Sequence, residues 1–178
     1  MSDRPPYDSL IKNVRVVRPN VEGVETVDLA IRDGSFAHIA PEIAAEEAPE
    51  VIDGGNLLGF PGLVDAHMHV GIYHELEEDA ESESRAAAMG GVTSSINYMR
   101  TGKYYLNKTG PYTQLFPEVL ERSQDHFYVD YAYHLAPMTG QHIQEMGQLA
   151  AEHGITSFKI FMFYGGHGLH GRSSAQRS

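Results

Sequence analysis

The sequence after Pro61-Gly62 alternates between strand-like and helix-like segments, and this alternation does most to limit the possible folds. Four short apolar stretches predict strands at 63–70, 92–98, 128–135 and 156–163. Segments with helical spacing of apolar residues separate them at 77–89, 117–123 and 141–153. Strand and helix that alternate three times predict right-handed βαβ units around a parallel sheet.

Glycine marks the predicted ends of two of these helices. Gly90-Gly91 follows the first helix and Gly154 follows the third, as is common at helix C-termini. In the third helix, the spacing of Ile143, Met146 and Ala150 predicts that these three side chains face inward.

The first part of the chain, residues 1–58, has a different pattern, which predicts a small antiparallel β unit. Apolar residues alternate with polar or small ones on either side of Asp33-Gly34, and this arrangement is a strong hairpin signal. The acidic stretch 41–50 is expected to be a solvated loop. We therefore divide the chain into a β unit at 1–58 and an α/β unit at 59–178.

The composition excludes several classes of protein. Asp and Glu number 24 against 13 Lys and Arg, and the formal net charge of −11 would repel a nucleic acid. No apolar run approaches the roughly 18 to 20 residues that span a bilayer, and the N-terminus lacks a signal-peptide pattern. The absence of Cys excludes disulfides and thiolate metal sites. We expect a soluble cytoplasmic protein that binds neither nucleic acid nor membrane.

The motif Asp65-Ala66-His67-Met68-His69 ends the first predicted parallel strand. Alternate residues of a strand share a face, so Asp65, His67 and His69 would project the same way, and both imidazoles could bind one metal ion. Two unrelated histidines at a strand end are an equally ordinary interpretation of the spacing. The position of the motif favours a metal site, because the active sites of α/β barrels lie at the C-terminal ends of their strands.

Lys159 lies within the apolar and aromatic segment 155–164, where burial of an ammonium ion is costly. One interpretation is that the amine reaches the end of the strand or pairs with a carboxylate. The other is that burial makes the amine reactive, so that it adds carbon dioxide and becomes a carbamate able to bridge two metal ions. The residues by themselves favour the first interpretation and leave the second open.

Four motifs, in order along the chain, resemble the cyclic amidohydrolase branch of the amidohydrolase superfamily, the dihydropyrimidinases and hydantoinases. GFPGLVDAHMH at 59–69 is similar to the first barrel strand of the superfamily, and SFKIFMFY at 157–164 to the fourth strand of this branch. RAAAMGGVT at 85–93 and DYAYH at 130–134 also resemble the branch. The resemblance implies an α/β fold: the N-terminal part of a (β/α)8 TIM-type barrel, with about four βα units, preceded by part of a small β-sandwich domain.

The resemblance also implies roles for individual residues. His67 and His69 would bind the more buried of two divalent metal ions, usually zinc, and a carboxylated Lys159 would bridge the two ions. Tyr164 would stabilise the oxyanion that develops when activated water attacks an amide carbonyl. Strict alternation puts Tyr164 on the opposite face from Lys159, so this role requires a turn, which Gly165-Gly166 permits. The substrate would be a small cyclic amide, and the parent enzyme would be a homodimer or homotetramer.

Other polar residues receive lesser roles. The acidic run 75–83 is expected to be the solvated start of a helix, where negative charge is favourable. His134 matches a family position that does not bind metal directly, and His167 and His170 are expected to be loop residues. The Tyr- and Gly-rich segment 104–112 is compatible with a lid or with a subunit contact.

The length of the chain limits what it is expected to do alone. A (β/α)8 barrel takes about 250 residues, and only 117 follow Pro61. The family's later histidine ligands and its metal-bound aspartate have no counterpart, so we expect an N-terminal fragment that is inactive by itself. Two alternatives stay open. One is a dihydroorotase or allantoinase, against which Tyr164 argues, and the other is a non-catalytic dihydropyrimidinase-like scaffold, against which His67, His69 and Lys159 argue.

Overall fold

The computed structural model describes residues 5–101 and 106–161 of the chain. The chain divides into two compact units, Met1–Pro61 and Gly62–Ser178. Each unit has its own sheet and its own core of buried apolar side chains. Tyr164, His167 and His170, to which the sequence assigned roles, lie outside the described residues.

The described part of the first unit contains a mixed sheet, not the antiparallel one that was expected. Its strands are β1 Ser9–Val16, β2 Glu25–Arg32, β3 Ser35–Ala40, β4 Glu50–Asp53 and β5 Leu58–Gly59. The order is β3-β2-β1-β4, and β5 also pairs with β1. The β1–β2 and β2–β3 pairs are antiparallel, whereas β4 and β5 run parallel to β1. The antiparallel prediction fails at β4 because the segment after β3 crosses to the far side of β1 and enters β4 in the direction of β1 and β3, which a two-residue turn cannot do.

The Asp33-Gly34 turn between β2 and β3 confirms the predicted hairpin. Both residues have positive φ, 52° and 72°, as a type I′ turn requires. The carboxylate of Asp8 accepts a hydrogen bond from the Asp33 backbone amide at 2.8 Å. The local turn signal therefore joins the two strands where the sequence indicated.

The acidic segment between β3 and β4 is partly buried, not wholly solvated as expected. It contains a short 3₁₀-helix, Ala45–Glu47. Ile43 and Ala48, on either side of that helix, pack with Leu10 and Ala30 in the core of the first unit. The segment therefore packs against one side of the sheet.

Asp28 is a buried carboxylate of β2. It accepts hydrogen bonds from Lys12 Nζ at 2.7 Å and from the backbone amides of Asn13 and Ile43 at 2.9 Å each. Burial alone would raise the pKa of Asp28, but these hydrogen bonds and the charge of Lys12 outweigh it, so the pKa is lowered. Asp28 thus ties β2 to β1 and to the segment after β3.

The described part of the second unit alternates strands and helices, which confirms the predicted βα order. It contains β6 Leu63–His69, α1 Leu76–Met89, β7 Val92–Met99, α2 Tyr112–Ser123, β8 Asp130–Leu135 and α3 Gly140–His153. The strand order is β6-β7-β8, and both pairs are parallel. The core joins strand residues such as Leu135 to helix residues such as Phe116 and Leu149.

The fourth predicted strand, 156–163, forms only a single bridge within the described residues. Phe158 bridges Leu135 of β8 in the parallel direction. The Lys159 amide donates to the Leu135 carbonyl at 2.9 Å, and the Leu135 amide donates to the Ser157 carbonyl at 3.3 Å. A ladder on one edge alone gives a strand little support, and β8 is the only described strand beside this segment. The prediction therefore holds for its place and direction, but not for a full strand.

The helix ends agree with the sequence except at the start of α2. That helix begins at Tyr112, well before the predicted 117, and so contains Pro117. Gly90 directly follows α1, and Gly154, whose φ of 67° is left-handed, directly follows α3. No helix in the described ranges has the length and apolar character needed to cross a membrane.

The inward face of α3 differs from the prediction. Ile143, expected to face inward, is 60 % exposed, whereas His142 and Leu149 are buried. The His142 ring stacks on Tyr112, with 3.9 Å between ring centroids, and its Nε2 lies 2.9 Å from the Gly110 carbonyl oxygen. Tyr112 and Gly110, at and just before the start of α2, therefore provide the contacts that allow the polar His142 side chain to be buried.

Candidate metal centre

The carboxyl ends of the parallel strands bring the chemically active side chains of the second unit together. β6 ends with His67 and His69, while β7 carries Tyr98 and β8 carries His134 near their own ends. Lys159 directly follows the residue that bridges to β8. Because these strands are parallel, their ends meet at one edge of the sheet, where α/β proteins place their sites.

The two histidines of β6 face each other across a short gap. Their Nε2 atoms lie 3.1 Å apart and their ring centroids 5.0 Å apart. Asp65, expected on the same face, turns its carboxylate back to the chain, where Oδ1 accepts a hydrogen bond from the His67 amide at 3.0 Å. The carboxylate of Asp65 therefore holds the backbone of the strand.

Lys159 completes the group of candidate metal ligands that the sequence singled out. Its Nζ lies 3.5 Å from His67 Nε2 and 5.4 Å from the centroid of the Phe161 ring. The side chain is half-buried. The structure thus brings His67, His69 and Lys159 together, although Lys159 is distant from the histidines in sequence.

His134 is a member of this cluster that the sequence analysis assigned to a family position without direct metal binding. Its Nε2 lies 2.8 Å from Nδ1 of His67, and its Nδ1 lies 3.5 Å from the hydroxyl oxygen of Ser157. The residue is 7 % exposed. The signal that could have revealed it is its position near the C-terminal end of a parallel strand, the same position that His67 and His69 have on β6.

Tyr98 is a second member that the sequence analysis missed. Its ring centroid lies 5.0 Å from that of His69, 5.9 Å from that of His67 and 5.8 Å from that of Phe161. The residue is 3 % exposed. Tyr98 therefore forms an apolar wall beneath the two imidazoles, and its place at the end of β7 was the available signal.

Burial and mutual proximity favour the neutral form of all three imidazoles. Burial lowers the pKa of His134 to about 4, and the charges of His67, Lys159 and His69 add to the effect. Desolvation also lowers the pKa of His67, followed by the charge of Lys159, and that of His69, followed by the charge of His67. A neutral imidazole has the nitrogen lone pair that metal binding requires.

The spacing of the donors fits a divalent metal ion. Two nitrogens bound at tetrahedral angles to one zinc ion lie roughly 3.3 Å apart, close to the 3.1 Å between the Nε2 atoms of His67 and His69. In the ranges 5–101 and 106–161, no group of three His, Cys, Asp or Glu side chains is arranged to hold a metal ion. This part of the chain therefore offers two imidazoles and the nearby amine of Lys159.

The acidic run at the start of α1 is partly buried, in contrast to the solvated surface that was expected. Asp79 is buried, and its Oδ2 accepts a hydrogen bond from the Gly71 amide at 2.8 Å. Glu77 Oε2 accepts one from Arg122 Nη2 at 2.6 Å. The Asp79 contact holds the loop that follows His69, whereas the Glu77 contact joins α1 to α2. A cavity of about 240 Å³ lies beside them, lined by residues 71–76, Leu106, Asn107 and Arg122.

The sequence comparisons point to one group of enzymes. No protein-family model matches the chain. The D-hydantoinase of Geobacillus stearothermophilus is 33 % identical over 160 residues, which cover 87 % of this chain and 32 % of that protein. The dihydroorotase of Mycobacterium tuberculosis is 43 % identical over 82 residues, which cover 46 % of this chain and 19 % of that protein.

The structural comparisons agree. A solved D-hydantoinase superposes with a TM-score of 0.74 at 29 % identity, covering 88 % of this chain and 34 % of that one. The chain belongs to the cyclic amidohydrolase branch of the amidohydrolase superfamily. The family resemblance of the four motifs is thereby confirmed. The chain spans about a third of the length of the D-hydantoinases that it matches.

Solved structures of lower sequence identity share the fold of this chain. Atrazine chlorohydrolase TrzN from Arthrobacter aurescens, solved in complex with zinc, superposes with a TM-score of 0.61 at 13 % identity, covering 85 % of this chain and 46 % of that one. The described strands β6 to β8 and the bridge at Phe158 are accordingly the start of a TIM-type barrel, and the β unit precedes it. The expected α/β fold class is confirmed.

Proposed function

We propose that this chain supplies the first metal-binding elements of a metal-dependent cyclic amidohydrolase, which opens a dihydropyrimidine or hydantoin ring by hydrolysing its C–N bond. The observation that carries the proposal is the convergence of His67, His69 and Lys159, with 3.1 Å between the two Nε2 atoms and 3.5 Å from His67 Nε2 to Nζ. The similarity to D-hydantoinase over 87 % of the chain supports the substrate class.

His67 and His69 would hold one of two divalent ions, with zinc the proposed metal, and Lys159 would bridge the pair as a carbamate. When bound, such ions polarise an amide carbonyl and lower the pKa of water. Within the described residues, no carboxylate forms an ion pair with Lys159. This observation argues against the simpler interpretation of the lysine as half of a salt bridge.

The protein's own groups would orient the reacting atoms and limit the access of water. Tyr98 and Phe161 surround the imidazoles and the amine with aromatic surface. Tyr164, beyond the described residues, is proposed to donate a hydrogen bond to the oxyanion that develops on the substrate. The family assignment supports these roles.

The proposal extends to the organisation of the parent protein. We propose two domains, 1–58 and 59–178. We also propose that the parent protein is cytoplasmic and forms a homodimer or homotetramer. The 178 residues alone are expected to have negligible activity, because the family takes its remaining histidine ligands and its catalytic aspartate from later barrel strands.

Dihydroorotase or allantoinase activity is the second candidate. The 43 % identity to dihydroorotase over 82 residues favours it, whereas the longer match to D-hydantoinase and the presence of Tyr164 favour hydantoin or dihydropyrimidine substrates. A non-catalytic scaffold is the third candidate, and the retention of His67, His69 and Lys159 argues against it.

The test is a chimera in which the 178 residues replace the matching third of Geobacillus stearothermophilus D-hydantoinase. We expect hydrolysis of hydantoin and dihydrouracil, with little activity on dihydroorotate or allantoin. Lys159→Ala should abolish turnover, whereas Arg18→Ala, a charge removed from the exposed surface of the β unit, should leave it unchanged. A folded, zinc-loaded chimera without activity, or a Lys159→Ala chimera that keeps full activity, would contradict the proposal.

A further inference from the structure

We propose that His134 is a positioning residue that fixes the tautomer of His67, so that Nε2 of His67 keeps its lone pair for a metal ion. The inference rests on the proposed metal site at His67 and His69. His134 lies on the side of the His67 ring that is away from His69. It contacts Nδ1 of His67, whereas Nε2 of His67 faces His69.

The contact between the two rings allows only two arrangements of protons. His67 Nδ1 and His134 Nε2 lie 2.8 Å apart, so one of them carries the hydrogen. If His67 Nδ1 donates, His67 Nε2 is bare and can bind a metal. If His134 Nε2 donates, a neutral His67 carries its proton on Nε2, where it blocks the metal.

Lys159 and Ser157, at the two ends of the pair, favour the first arrangement, whereas His69 Nε2, 3.1 Å from His67 Nε2, can donate or accept and favours neither. Lys159 Nζ lies 3.5 Å from His67 Nε2, and in the metal-free chain, before any carboxylation, its ammonium group can only donate, which makes Nε2 the acceptor. At the other end, Ser157 Oγ lies 3.5 Å from His134 Nδ1 and can accept its proton, which leaves His134 Nε2 bare. The Lys159 and Ser157 contacts are at the limit of hydrogen-bond length, and the 2.8 Å contact with His134 is shorter than the 3.1 Å contact of the His67 ring with His69.

The register of the sheet holds His134 in this place. β6 pairs His69 with Tyr98, and β7 pairs Tyr98 with His134. The ring centroid of His134 lies 4.7 Å from that of His67 and 6.3 Å from that of Tyr98. Since His134 is also buried, water has little room to replace it as the partner of His67.

Loss of such an outer partner weakens metal binding even though every direct ligand remains. Replacement of outer partners of ligating histidines typically costs roughly 10- to 100-fold in metal affinity or activity. We therefore expect His134→Leu, which removes the acceptor, to weaken zinc binding by at least about tenfold. His134→Gln retains an acceptor oxygen and should stay close to the wild type.

The test uses the 178-residue chain labelled with ¹⁵N-histidine and free of metal. Long-range ¹H–¹⁵N spectra at about pH 8, above the ordinary histidine pKa of about 6.5, report which nitrogen of His67 carries the proton. We expect Nδ1 in the wild type and in His134→Gln, and a large Nε2-protonated population in His134→Leu. His126→Leu, which replaces a histidine that faces Glu81 away from the sheet ends, is the matched control and should change neither His67 nor zinc affinity.

Zinc is then titrated into each sample, and binding is followed at His67 and His69. A wild-type His67 protonated at Nε2, or a folded His134→Leu variant with wild-type tautomer and affinity, would overturn the inference. If His134→Leu does not fold, Ser157→Ala decides: a lower Nδ1-protonated population at His67 supports the inference, and an unchanged one overturns it. The expected tautomer in a chain that binds no zinc would refute the proposed metal site and leave the His134 contact standing.

Discussion

Arg122 of α2 donates hydrogen bonds from Nε and Nη2 to the two carboxylate oxygens of Glu77 in α1. Its Nη2 also lies 2.9 Å from a carboxylate oxygen of Glu75. This group ties the end of α2 to the start of α1. We expect Arg122→Ala to lower the free energy of unfolding by about 1 kcal/mol, as measured by urea denaturation. Arg18→Ala, whose partner Glu25 lies 3.9 Å away on the exposed surface, should have a much smaller effect, and an equal loss would contradict the assignment.

The same contact makes part of the stability depend on pH. The hydrogen bond from Arg122 holds the pKa of Glu77 below its ordinary value. A lowered folded-state pKa stabilises the protein above the unfolded-state pKa, and this stabilisation is lost as pH falls through the folded-state value. The stability advantage of the wild type over Glu77→Gln should therefore be constant near neutral pH and shrink below about pH 4.5. Unfolding midpoints across this range measure it, and an advantage that grows in acid would refute it.

Asp28 offers a test in the β unit. Asp28→Asn removes the charge that faces Lys12 and changes one of its acceptor oxygens to a donor. We expect a loss of about 2 kcal/mol in the free energy of unfolding. Asp33→Asn is the control, since its side chain is exposed and asparagine tolerates the positive φ of that turn. Equal stability of the two variants would show that the Asp28 contacts contribute little.

Two glycines of the α3 region should respond to alanine in opposite directions. Gly154 has a φ of 67° with open space around it, so Gly154→Ala meets backbone strain alone and should cost about 1 kcal/mol. Gly147 lies inside α3, also in open space, and Gly147→Ala should stabilise by about 0.5–1 kcal/mol. Thermal unfolding of both variants checks the pair. A stability change of the same sign in both variants would contradict the assignment of Gly154 to the end of α3 and of Gly147 to its interior.

The proposed carbamate can be observed directly. In ¹³C-bicarbonate with zinc, the 178-residue chain should give a carbamate signal in its carbon spectrum that Lys159→Arg lacks. Lys12→Arg, which keeps the positive charge beside Asp28, should retain the signal. A signal that persists without Lys159 would assign the carbamate to another amine.

Features governed by neighbouring residues were predictable from the sequence. Asp33-Gly34 and Gly154 specify their own backbone conformations, so the hairpin and the end of α3 could be predicted from a few positions. The βα order followed from apolar spacing over longer windows. In contrast, the parallel pairing of β4 with β1 and the burial of His142 in place of Ile143 depend on partners far away in sequence.

The candidate site shows the same division. His67, His69 and Lys159 could be named from the sequence because of their motifs. Tyr98 belongs to none of the four motifs, and His134 lies in the motif DYAYH without a direct metal-binding role there. The contacts of both residues arise from the register in which β7 pairs with β6 and β8. A register is set by the whole sheet, so no short stretch of sequence encodes it.

The bridge at Phe158 bears on how carbon dioxide could reach the Lys159 amine in the proposed carboxylation. Within the described residues, two backbone hydrogen bonds to Leu135 fasten this segment to the sheet, whereas β6 and β7 share a longer ladder. Phe158 and Phe161 also pack against the core, but a segment with so short a ladder can open more readily than the strands beside it. If Lys159 is carboxylated as proposed, such an opening would let dissolved carbon dioxide reach the amine from solution without a permanent channel, and closure would then hold the carbamate beside the histidines.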